Sequence, residues 1–205
     1  ANAGGSVLSR LDRWQNLLAA QQQALSRVRL RGLIGELLFI ENCLLPSLAA
    51  DTAVSCWNGP MGASQDFQLP GGTRVEVKAV GLSATEVRIN GLQQLDPGGD
   101  DLQLAVVRLE DTGPGAPGAF TAQNLVRRLR AALSDAPVAH AAFDRLLIFA
   151  GWDDDADTSQ VVVRLQKIER FPVDENFPRL TLASVPLGIV DASYVLALPA
   201  VGPIT

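Results

Sequence analysis

Residues 65–80 constrain the fold more than any other stretch, because a strand-like run, a tight turn and an alternating strand follow one another there. Gln65 to Leu69 reads as a short strand, Pro70-Gly71-Gly72 as a turn, and Thr73 to Val80 as a second strand. In the second strand Val75 and Val77 take one face, while Arg74, Glu76 and Lys78 take the other. Antiparallel strands joined at that turn bring Asp66 beside Glu76. Glu76 and Lys78, two apart on one strand, point to the same side. Two carboxylates and a lysine then converge on one spot.

Phosphodiester hydrolysis uses that set of groups. Hard oxygen ligands hold Mg²⁺, for which Mn²⁺ can substitute, and the ion stabilises charge on the phosphate while acidifying water. A lysine beside it orients the attacking water or neutralises developing charge, being compact and able to lose its proton. The chain carries fifteen arginines against two lysines, Lys78 and Lys167. A position that wanted only positive charge would hold Arg in such a chain. The bland alternative is a solvated edge strand with alternating charges, and Glu-x-Lys alone does not separate the two.

Around this pair of strands the pattern alternates helices with strands. Residues 7–23 place Leu8, Leu11, Trp14, Leu17 and Leu18 at helical spacing. A second helix runs from about Leu25 to Leu45 and stops at Pro46. Gly32 and Gly35 inside it predict close approach by another element. Further strands are expected at Glu86 to Asn90, Leu102 to Leu109, Arg145 to Ala150, Gln160 to Ile168, Leu180 to Leu182 and Tyr194 to Leu198. A turn or short helix is expected at Gly91 to Leu95, and a helix from Phe120 to Leu133. No repeat or linker divides the chain. The reading is one α/β domain over 7–205, its core about 25–150 and a β-rich C-terminal extension about 151–205 packed on it. Residues 1–6 read as a disordered or cloning-derived tail.

Composition narrows the class. An apolar fraction of 47% with 19% charged residues is that of a globular protein. No apolar run nears the roughly 20 residues that span a bilayer, and the N-terminus lacks a signal-peptide pattern. Cys43 and Cys56 are too few and too far apart for a disulfide scaffold or a CxxC site, which fits buried thiols in a reducing cytoplasm. His140, the single histidine, has no neighbours with which to build a zinc site. A net charge of −5 argues against a protein that coats nucleic acid, but leaves room for a local basic groove.

Several motifs are decoys. Gly113, Gly115 and Gly118 spell GxGxxG, but Pro114 and Pro117 remove donors a phosphate would need. Asp153, Asp155 and Asp157 mimic an EF-hand start, but Thr158 and Arg164 stand where Gly and Glu belong. Arg27, Arg29 and Arg31 fan out around a helix. Arg127, Arg128 and Arg130 cluster better, as a phosphate contact or a solvated face. Trp14 and Trp57 read as packing residues.

Asp66 followed by Glu76-Val77-Lys78 resembles the PD-(D/E)xK signature of restriction-endonuclease-like proteins. The flanks resemble an uncharacterised bacterial group associated with phage-defence gene clusters. These flanks are Arg13-Trp14, Gly32 to Leu37, Trp57 to Pro60, Gln65-Asp66-Phe67, Gly91 to Asp96, Phe177-Pro178-Arg179 and Pro186 to Ile189. Gln65 stands where the signature has Pro. The resemblance implies a mixed central sheet flanked by helices. It also implies Glu36 as a helix-borne acid near the metal and Gln94 as a residue reaching the site after the third strand. Relatives of this kind usually carry a further portion ahead of the Arg-Trp helix, so the chain reads as a fragment.

Two functions follow as expectations. The first is a Mg²⁺-dependent DNA endonuclease or nickase of a restriction or phage-defence system, cytoplasmic and working with protein partners. Asp66, Glu76 and the Val77 carbonyl would hold the ion, Lys78 would orient the water, and Glu36 would act through water. The second is an inactive nucleic-acid- or protein-binding subunit of a defence complex. Oligomeric state is left open, a homodimer included, and no membrane partner is expected.

Overall fold

The computed structural model describes residues 25–198. The expected helix over 7–23, Arg13-Trp14 and the terminal tail lie outside them. Helix α1 spans Arg27–Phe39 and continues into a π-helical turn, Ile40–Leu44, ahead of Pro46. Ser26 caps it by accepting from the Arg29 amide. Leu30, Leu33, Ile34, Leu37, Leu38 and Phe39 are buried, so most of this helix's surface faces protein. Helix α2, Ala50–Ser55, and a 3₁₀ turn, Gly59–Met61, lead into the site hairpin.

Strand β1, Phe67–Gln68, pairs antiparallel with β2, Arg74–Gly81, with Phe67 opposite Val75. Strand β3 is Glu86–Asn90, and β4 is Leu102–Asp111. Helices α3, Ala122–Ala132, and α4, Pro137–Phe149, precede β5, Val163–Pro172, and β6, Ser193–Ala197. The central sheet has the order β1-β2-β4-β5, parallel between β2 and β4 and antiparallel elsewhere. Strands β3 and β6 form a separate antiparallel pair. Within the C-terminal stretch, β5 completes the central sheet and β6 completes the small one.

The two faces of the sheet bury two cores. Val75, Val77, Ala105, Val107 and Leu109 pack with the helices. Leu102, Leu104, Val106 and Phe171 pack with Val87 and Ile89 of β3 and Leu196 of β6. Such two-sided burial explains the continuous apolar run of β4. The register places Glu76 beside Leu104 and Lys78 beside Val106, on the face that carries the second core. Gly35 explains how closely α1 seats on β2: a Cβ there would lie 3.0 Å from the Cβ of Ala79. Among the described residues nothing lies within 4 Å of such a Cβ on Gly32, so among them the expected close approach holds at Gly35 and not at Gly32.

The strand expected at Arg145 to Ala150 is instead the end of α4. Pro137 opens that helix and Ala139, Phe143 and Leu147 are buried at four-residue intervals. A short apolar run such as Leu146-Leu147-Ile148-Phe149 fits either element, and the longer helical period decides. The strand expected at Leu180 to Leu182 is absent. Those residues lie in a turn in which the Ser184 hydroxyl accepts from the Thr181 amide and donates to the Thr181 carbonyl. Strand β5 begins three residues later than expected and runs on to Pro172. Helix α3 is held by a capping box in which Thr121 and Asn124 bond each other's main chain.

Candidate active site

Asp66 is fixed before its side chain is considered. The amides of Asn58 and Gly59 both donate to its carbonyl, at 2.8 and 2.9 Å. Its Oδ2 accepts from the Val77 amide of β2 at 2.7 Å. The N–H and C=O of a strand residue point to the same edge, so the Val77 carbonyl also faces this side of β2. Strand β1 covers that edge only as far as Val75.

Glu76 is buried, 2% exposed, and β2 lies between β1 and β4. That burial excludes a solvated face of alternating charges. Lys78 Nζ sits 2.7 Å from Glu76 Oε1 and donates to Gln94 Oε1 at 2.8 Å. Gln94 Oε1 also accepts from the Asn90 amide, which ties it to the end of β3. Glu36, one residue after Gly35 on α1, accepts at Oε2 from Trp57 Nε1 at 2.7 Å. A Cβ on Gly59 would lie 2.9 Å from Asp66 Oδ1 and 3.4 Å from Glu36 Oε2, so the two carboxylates flank that glycine closely. Glu36, Asp66, Glu76, Val77, Lys78 and Gln94 all line one cavity of about 510 Å³.

Crowding three acids in a buried site has an electrostatic cost. Burial pushes the Glu76 carboxyl up to about 8, helped by the charge of Asp66 and opposed by Lys78. Burial likewise raises Glu36 well above the usual carboxylate range, with Asp66 adding to the shift and the Trp57 bond opposing it. Asp66 is raised by burial against the pull of the Val77 amide and Lys78. A cation at this point would relieve all three. Among the described residues no three Asp, Glu, His or Cys side chains form a ready-made metal cluster. The donor set on offer is two carboxylates, Asp66 and Glu76, and a main-chain carbonyl. These hard oxygens fit Mg²⁺ or Mn²⁺.

Sequence reasoning missed the residues that hold this set. Trp57 is 1% exposed and packs as expected, but its indole N–H also anchors Glu36. A buried tryptophan needs a partner for that group, which is the signal that could have found it. Gln65 is 4% exposed; its Nε2 donates to the Gln93 carbonyl at 2.7 Å and its Oε1 accepts from Arg74 Nη1 at 3.0 Å. Where the signature has Pro, this side chain thus ties the Asp66 segment to the turn that carries Gln94.

The paired arginines, the acidic turn, His140 and the two cysteines stay outside the site. Arg128 pairs with Glu41, and Arg130 pairs with Asp144 and Asp154. Arg27 and Arg31, four apart and so on one helix face, both reach Asp111. Asp153 and Asp157 close turns on the amides of Asp155 and Ser159. His140 lies 3.4 Å from Asp144 on α4. Cys56 is buried and Cys43 half-buried, both free thiols. No described helix is long and apolar enough to cross a membrane.

This hairpin, with its acids and lysine on a mixed sheet, is the arrangement of a restriction-endonuclease-like protein. Residues 2–199 match the DUF4420 family, whose description reads "Putative PD-(D/E)XK family member", and the chain belongs to that family. Membership points to a nuclease-like function. No curated protein and no solved structure matches the chain.

Proposed function

We propose that the protein is a Mg²⁺-dependent endonuclease or nickase that hydrolyses DNA phosphodiesters within a restriction or phage-defence system. The observation that carries the reading is the convergence of Asp66, Glu76 and Lys78 in one cavity, with Lys78 Nζ held between Glu76 Oε1 and Gln94 Oε1. Asp66, Glu76 and the Val77 carbonyl would hold the ion. When bound, Mg²⁺ supplies Lewis-acid neutralisation at the scissile phosphate and makes water a stronger acid. Lys78, compact and already oriented, positions the attacking water and balances charge developing on the phosphate. Gln94 keeps the ammonium aimed into the cavity, and Glu36 acts through water from the α1 side. Defence partners and a cytoplasmic setting belong to the same proposal.

The test is cleavage of plasmid DNA by the protein, alone and with the products of neighbouring genes, in Mg²⁺ and in Mn²⁺. Asp66→Ala and Lys78→Ala should each abolish cutting, since ion and lysine act as a unit. Circular dichroism should show both variants folded. Cutting that persists in both variants would overturn the assignment. A wild type that never cuts would favour the binding-subunit reading, which the Glu76–Lys78 pair supports by occupying one of the carboxylate oxygens.

A further inference from the structure

Two cavities, not one, meet at the acid cluster. The cavity of about 510 Å³ contains Glu36, Asp66, Glu76 and Lys78, with Arg88 of β3 on its wall. A second, of about 370 Å³, shares Glu36, Asp66 and Gly32 with it and has Arg29 of α1 and Gly59 on its wall. The acids therefore stand on the boundary between two hollows, with an arginine in each. On α1 the residues Arg29, Gly32 and Glu36 follow one another at helical spacing, so they share a stripe that runs from one hollow to the other.

Gly32 is otherwise unaccounted for. A glycine inside a helix costs about 1 kcal/mol relative to alanine. Gly35 has a packing reason, the 3.0 Å approach of Ala79, whereas a Cβ at Gly32 would meet nothing within 4 Å among the described residues. Open space above a mid-helix glycine, at the junction of two cavities, is space that something else fills.

The charges point to what fills it. Arg27, Arg31, Arg74, Arg108, Arg128, Arg130 and Arg164 are each paired with a carboxylate. Among the described residues only the side chains of Arg29, Arg88, Arg127 and Arg145 make neither an ion pair nor a hydrogen bond. Two of these four are the arginines of the two hollows. Glu86 shares the Arg88 hollow, two residues away on the same strand, and forms no ion pair with it. Phosphates on each side of a scissile bond, repelled by the central acids, would be met by these two cations.

We infer that the two hollows form one groove for a polynucleotide strand that crosses the acid cluster, with Gly32 as its floor and Arg29 and Arg88 as its phosphate grips. The inference rests on the nuclease reading for its scissile phosphate. Its own content is the path: the strand continues in both directions from the site.

The test separates binding from cutting. Fluorescein-labelled DNA is titrated with the whole chain in the Lys78→Ala background with Mg²⁺ present, across a series of salt concentrations. Gly32→Leu should weaken binding at least tenfold while leaving the melting temperature unchanged or higher. Arg29→Gln and Arg88→Gln should each lower the slope of log K against log salt by about 0.7–0.9, one phosphate contact apiece. Arg127→Gln, an exposed cation outside both hollows, serves as the control and should bind as the parent does. With Lys78 restored, covalently closed circular DNA should be cut. If Gly32→Leu and both arginine variants bind like the parent, or if Arg127→Gln weakens binding equally, the groove is wrong whether or not the protein cuts. If the groove variants lose binding but no closed circle is cut, the path stands and the nuclease reading falls.

Discussion

Lys78 Nζ and Gln94 Oε1 are 2.8 Å apart, although Lys78 sits on β2 of the central sheet and Gln94 in the turn just beyond β3. The bond makes the turn after β3 part of the site. Gln65, one residue before Asp66, grips the same turn through the Gln93 carbonyl. Position of the acid and aim of the lysine therefore depend on a single loop, residues 91–97.

Gln94→Ala should lower kcat by roughly ten- to a hundredfold, the usual scale for a residue that orients a site group. KM should change little, because the ammonium remains and only its aim is lost. The stability cost should be about 1 kcal/mol, since water can replace the glutamine at the exposed Asn90 amide. Steady-state kinetics on a short oligonucleotide would check it; an unchanged kcat would remove Gln94 from the site.

Glu76 makes stability depend on pH in a stated direction. Its folded value of about 8 lies above its ordinary 4.5, so the folded protein binds more protons than the unfolded chain between them. Stability is then greatest, as far as this group goes, below its ordinary value and falls as pH rises through about 8. Glu76→Gln cannot ionise, so without divalent ions it should gain on the parent from pH 5 to pH 9, by on the order of 4 kcal/mol. Mg²⁺ should narrow the gap by stabilising the parent. Urea titrations at both ends of the range in EDTA provide the measurement, and parallel curves for the two proteins would refute it.

Trp57→Phe keeps an aromatic ring in the core but removes the donor to Glu36 Oε2. A buried acceptor left without its donor costs about 1–3 kcal/mol. Because the Trp57 bond opposes the upward shift of Glu36, its loss should push that carboxyl higher still. The pH profile of cleavage should move to higher pH accordingly. A profile superimposable on the parent's would show that Glu36 takes no part in the activity.

Gly35→Val should destabilise by about 1–3 kcal/mol, because α1 cannot accept side-chain volume 3.0 Å from Ala79 without lifting off β2. Thermal denaturation would measure it, and a variant as stable as the parent would mean that the helix seats less tightly than described.

The sequence alone determined the hairpin and which of its side chains share a face. Period-two alternation around a Pro-Gly-Gly turn fixes which side chains share a face, and that rule holds for any strand. Glu76 and Lys78 had to lie together, and Asp66 had to meet β2, wherever the hairpin packed. Local pattern also located α1, β3, β4 and α3 to within a few residues. Tertiary structure decided everything that depends on elements distant in the chain. Residues 145–150 became helix because Phe143 and Leu147 are buried from one helical face, a fact of packing that a short apolar run does not encode. Gly32 and Gly35 look alike in sequence, yet among the described residues Gly35 faces Ala79 and Gly32 meets no neighbour. Above all, Glu76 reads as one of several charges on an alternating strand. The parallel pairing of β2 with β4 and the cover of β3 and β6 put it at 2% exposure beside Asp66. Burial, which the hairpin cannot supply for itself, is the main cause that turns that carboxylate from a solvated surface group into a raised, cation-seeking one, with the charge of Asp66 adding to it.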